Sequence, residues 1–67
     1  MQAKVVKVLT TYILETTDGK KAKTNIDHSY RNAVNWIGIE RGDVVRQLKW
    51  KSEESGIIDG DSPVERV

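Results

Sequence analysis

At 67 residues and without Cys, the chain can bury only about 60% of its unfolded surface, and thiol chemistry, disulfides and Cys-based metal sites are excluded. The formal charge of +1 conceals a division: residues 1–51 carry ten Lys or Arg against Glu15, Asp18, Asp27, Glu40 and Asp43, a balance of +5, whereas residues 52–67 carry Arg66 against five acidic residues, a balance of −4. Nothing approaches the ~18 apolar residues of a membrane span, and the MQAKVVKVL start is too short for a secretory signal, so a soluble cytoplasmic protein is expected.

Fourteen of the seventeen Val, Ile and Leu residues are β-branched, which favours pleated structure. Ala3 to Thr17 contains neither Gly nor Pro and reads as extended, in one strand or two. One face carries Val6, Val8, Thr10, Tyr12, Leu14 and Thr16. The other still shows Val5, Leu9 and Ile13, an apolar stripe through which the domain is expected to self-associate, because so small a core is close to balance against ordering entropy. Asp18-Gly19 signals a hairpin. A two-residue turn would set Leu14 against Lys23 and Glu15 against Ala22. A three-residue turn with Gly19 left-handed sets Leu14 beside Ala22, Tyr12 beside Thr24 and Glu15 beside Lys21, and is the preferred register.

Asp27 is a good N-cap, and Tyr30, Ala33, Val34 and Ile37 recur at i, i+3, i+4 and i+7, so the spacing predicts a short amphipathic helix over 28–38, with Trp36 at the edge of its apolar stripe and Gly38 as its stop. Arg41-Gly42-Asp43 reads as a turn, and Val44 to Trp50 as a last strand. The expected fold class is therefore α+β: a small β-β-α-β domain with an antiparallel sheet and one short helix, with a dimeric barrel as one arrangement of two such chains. Residues 1–51 form the basic domain. Residues 52–67, rich in Ser, Glu, Gly and Asp, read as an acidic flexible tail, with a short fourth strand at Ile57-Ile58 as the alternative.

No enzyme is expected. His28 is the lone histidine and has no Ser-plus-acid or Cys constellation to work with. No phosphate loop occurs, and no cofactor is implied. Asp59-Gly60-Asp61-Ser62 resembles the opening of a calcium loop, but Pro63 follows where the sharp-turn Gly is wanted, so a solvated turn is the better account. The most informative set is basic: Lys20, Lys21, Lys23, Arg31, Arg41, Arg46, Lys49 and Lys51, interleaved with Tyr12, Tyr30, Trp36 and Trp50. Ammonium and guanidinium groups neutralise phosphates, and aromatic rings stack on bases.

Ala33 to Val45, AVNWIGIERGDVV, resembles the helix-to-strand junction of the swapped-hairpin transcription factors of the AbrB and MazE type. Ile37-Gly38-Ile39, Glu40-Arg41, Gly42-Asp43 and Val44-Val45 fill the family's places in order. The resemblance covers about a fifth of the chain and implies two chains interleaved in a dimeric barrel that grips DNA with basic residues. The first function expected is accordingly a small non-enzymatic DNA-binding regulator. It would act as a homodimer that binds double-stranded DNA, with the acidic tail modulating binding or contacting a protein. Two rivals stand beside it: a protein-interaction module, inhibitor or adaptor, docking by the Val5, Leu9 and Ile13 face or a sheet edge, and a structural subunit with both faces buried. One contiguous basic face favours nucleic acid; scatter favours protein partners.

Overall fold

A computed structural model describes residues 1–67. β1 (Leu9–Glu15) and β2 (Lys21–Asp27) form an antiparallel hairpin in which Leu14 faces Ala22, Tyr12 faces Thr24 and Glu15 faces Lys21. This is the register that side-chain matching selects. Its turn closes through the Thr16 N–H, which donates to Lys20 O (2.8 Å), and through the Lys20 N–H, which donates to Thr16 Oγ1 (3.1 Å). Gly19 occupies the left-handed position at φ +86°, where a Cβ is disfavoured. Along β2, Ala22, Thr24 and Ile26 are buried and the residues between them face outward, the period-two alternation of a half-buried strand.

The chain then departs from the expected helix. Only Ala33–Trp36 is helical, as a single 3-10 turn. Successive i→i+3 bonds replace the α-helical ladder: Tyr30 to Asp27, Ala33 to Tyr30, Asn35 to Asn32, Ile37 to Val34 and Ile39 to Trp36. Asn32 explains the difference. Its backbone N–H donates to Asp61 Oδ1 (2.9 Å) and its side-chain amide to Asp61 O (2.8 Å), which holds it at φ −93°, ψ 7° and ties the segment to the far end of the chain. The predicted apolar stripe is consequently not the core. Val34 and Ile37 are 65% and 78% exposed, whereas Trp36, expected at the stripe's edge, is 2% exposed and packs with Ile26 and Val64.

Past the Glu40–Asp43 turn, the expected strand over 44–50 is split in two. Gln47 takes a left-handed φ of +69°, separating β3 (Val45–Arg46) from β4 (Trp50–Ser52). β5 (Ile57–Ile58) and β6 (Glu65–Arg66) complete the chain. The main sheet runs β1-β2-β5-β4, with β5 parallel to β2 and antiparallel to β4, so it is mixed and not the expected antiparallel sheet; β3 and β6 form a separate two-stranded ladder. The protein is thus a small, mostly-strand domain.

Residues 52–67, expected as a flexible acidic tail, are part of this fold. Ile57-Ile58 is the strand between β2 and β4, and Ile58, Ser62 and Val64 are buried. Ser62 Oγ donates to Asp59 O (2.6 Å) and accepts from the Lys49 N–H (3.0 Å), so a hydroxyl is buried with its bonds met. Gly60 passes so close to β2 that a Cβ there would stand 2.1 Å from Asn25 O. The Asp59–Ser62 segment is therefore a packed structural turn, with Asp61 engaged by Asn32. No helix is long and apolar enough to cross a membrane.

Candidate interaction surface

β1 has β2 as its only neighbour, so one of its sides is a sheet edge. Backbone bonds at the two ends of the hairpin show which groups face that edge. The His28 N–H donates to Val8 O (3.0 Å), and Thr16 donates to Lys20, so the even-numbered residues of β1 turn N–H and C=O toward β2. Leu9, Thr11, Ile13 and Glu15 turn theirs outward, toward no partner. Their side chains share the outer face of the sheet, where Leu9 is 53% and Ile13 66% exposed, and Val5 continues the apolar line. Residues 1–8 lie outside the regular elements and are exposed.

The stretch Val8 to Leu14 contains no charged residue, no Gly and no Pro, and the β1–β2 register is continuous, without a bulge. Natural sheets blunt an edge with charge, Pro, bulges or a covering element. Neither charge, Pro nor bulge interrupts this one, and the 39–45 loop runs beside its Thr11–Glu15 end across a hollow. Charges flank it instead: Lys7 at one end, 3.9 Å from Asp27, and Glu15 at the other, paired with Lys21 across the hairpin. Lys21, by hydrogen bond and then by charge, holds the Glu15 carboxyl below its ordinary range. Asp27 is lowered first by the Ser29 backbone N–H and then by its hydroxyl, with help from Lys7 and His28; Asp18 is lowered chiefly by the Thr16 hydroxyl.

The eight basic residues singled out in the sequence are not gathered on one face. Lys20 lies 3.9 Å from Asp18 at the hairpin tip, and Lys21 is taken by Glu15. Arg46 pairs with Glu65 through its guanidinium (Nε–Oε1 3.2 Å), and Arg66 with Asp43 (3.3 Å), so part of the acidic tail lies against the basic body. Arg31 borders a hollow beside Trp36, His28 and Thr10, whereas Arg41 borders a second hollow against Tyr12 and Leu14. Lys49 leads into β4 and engages the Asp59–Ser62 turn through its backbone. Lys23, Arg31, Arg41, Lys49 and Lys51 have no carboxylate partner, Lys51 bordering a cleft with Lys7, Leu9 and Ile57. His28 Nε2 bonds Thr10 Oγ1 (2.7 Å).

The chain matches no known family, no curated protein and no solved structure. Its own geometry is what identifies the surface. Val5, Leu9 and Ile13 are legible as a stripe by period two alone. Thr11 and Glu15 fall on the same period-two face, but the hollow beside Leu14, lined also by Ile39, Val44 and Val45, is not legible, because it forms only where the 39–45 loop lies along β1. Tyr12 and Trp36, candidates for base stacking, are instead packed on each other, ring centroids 4.8 Å apart, with the Tyr12 hydroxyl donating to Trp36 O (3.1 Å).

Proposed function

We propose that this protein is a non-enzymatic interaction module that takes up an extended polypeptide segment along the open edge of β1. The observation that carries the reading is the uncharged Val8–Leu14 edge, with its outward N–H and C=O groups at Leu9, Thr11 and Ile13 and an apolar face beside them. Strand addition supplies main-chain hydrogen bonds for affinity and alternate side chains for specificity. Left unpaired, such an edge favours aggregation. The DNA-binding reading is supported by the unpaired Lys23, Arg31, Arg41, Lys49 and Lys51, against the carboxylate pairing of Lys20, Lys21 and Arg46.

The test is a photo-crosslinking side chain placed at Ile13, with Ser55 as control, in cells that make the full chain. Discrete protein adducts at Ile13 and none at Ser55 are expected. Equal or absent labelling at both positions counts against the module, and duplex binding that weakens with salt by about one counterion per Lys23 or Lys51 replaced by Gln would favour nucleic acid instead.

A further inference from the structure

Resting on the edge-pairing reading, we propose that the segment accepted by β1 is β1 of a second copy of this chain, paired antiparallel about a two-fold axis at Thr11. Backbone geometry restricts the choice. Leu9, Thr11, Ile13 and Glu15 present the outward groups, so a second copy pairs with odd residues opposite odd residues. Among those registers, centring on Thr11 places Leu9 opposite the partner's Ile13, Ile13 opposite the partner's Leu9, and Lys7 opposite the partner's Glu15 at each end.

From Lys7 to Glu15, side-chain chemistry matches at every position on the outer face. Two apolar pairs flank a Thr–Thr pair, and an opposite-charge pair closes each end. Shifting the centre to residue 10 sets Lys7 against the partner's Ile13 and Val5 against the partner's Glu15. Shifting it to residue 12 sets Leu9 against the partner's Glu15. Centring on Leu9 pairs Val5 with the partner's Ile13, but leaves Lys7 facing Thr11 and Glu15 facing Ala3. Only the Thr11 centre sets both Glu15 carboxylates opposite both Lys7 ammonium groups. It also fits the inner face, where Val8 falls beside the partner's Leu14, next to the hollow lined by Ile39 and Val44. An isologous contact of this kind closes on itself, so it consumes the edge of both copies and stops at two.

The pairing is tested by sedimentation velocity and native mass spectrometry on the full chain. The wild-type chain is expected to dimerise, and Lys7→Glu and Glu15→Lys, each of which sets like charges opposite at both ends, to weaken the dimer by about thirty-fold. Mixing the two variants restores opposite charge at both ends, and a heterodimer at near wild-type strength is expected. Thr11→Pro removes an N–H that no bond within the hairpin uses, and this variant should keep its circular dichroism spectrum yet sediment as a monomer. A monomeric wild-type chain at the highest soluble concentration, or a mixture that stays monomeric, overturns the proposal. If crosslinks from Ile13 then still reach other proteins, the edge reading survives without the second copy. If they reach none, both fall.

Discussion

The β1–β2 hairpin and the segment from Val45 to Arg66 are both β-structure, yet they are built in opposite ways. The hairpin joins two seven-residue strands through a turn of its own, and every pair in its register lies within 18 residues of sequence. The later segment consists of strands of two or three residues, whose partners are reached across loops: β5 beside β2, β6 beside β3. A pair of strands alone is marginal in water, and strands of two residues are weaker still. The hairpin therefore supplies the template, and the later segment supplies the second half of the core, through Ile58, Ser62 and Val64. Neither half is expected to fold without the other.

Removing residues 52–67 is the strongest way to break that interdependence. The deletion takes away β5, β6 and three buried side chains, and it opens the face on which Ile26 and Trp36 pack. Loss of the dispersed amide spectrum of the whole protein, hairpin included, is expected. A truncated chain that keeps hairpin shifts and a protected Trp36 would show that the first 51 residues fold alone.

A smaller perturbation compares one glycine from each region. Gly60→Ala forces a Cβ against the backbone Asn25 O, and is expected to cost about 3 kcal/mol. Gly19→Ala meets open space and is strained only by its φ of +86°, at about 1 kcal/mol. Urea denaturation reads both, as midpoint shifts at constant slope. Equal effects would mean that the Gly60 contact relaxes freely.

The smallest expected effect is electrostatic and belongs to the hairpin. Glu15, Asp18 and Asp27 are all held below the ordinary carboxylate range by Lys21, Thr16 and Ser29 respectively. Because the folded values lie below the unfolded ones, the stabilisation is complete above the unfolded range near pH 4 and is lost as pH falls through it toward the folded values. Glu15 and Asp18 are exposed and Asp27 is half-buried, so the loss should be modest and reduced by salt. Stability measured by urea at descending pH should be level down to about pH 5 and decline below it. A level or rising profile toward pH 3 would mean that these three contacts add nothing to stability.

Much of the hairpin is legible in the amino-acid order, because its information is local. Asp18-Gly19 marks the turn, and matching Leu14 to Ala22 and Glu15 to Lys21 selects the register within a dozen residues. The apolar Val5, Leu9 and Ile13 stripe follows from period two. The expected helix fails for a related reason: i, i+3 recurrence is common to an α-helix and to a succession of 3-10 turns, and Tyr30, Ala33 and Trp36 satisfy both. What separates them is Asp61, 29 residues away, whose two bonds to Asn32 no local pattern announces.

By itself, then, the amino-acid order determined a small, strand-rich domain, its hairpin, the register of that hairpin and the turn at Gly42. Tertiary structure alone decided the rest: that Trp36 and not Val34 or Ile37 is central, that Gln47 splits the last predicted strand, and that the acidic end folds inward. The reason is one of scale. Strands of two residues have no periodicity to read, and Ser62 and Gly60 are buried not for hydrophobicity but for a hydroxyl's bonds and a missing Cβ, both set by neighbours far away in sequence.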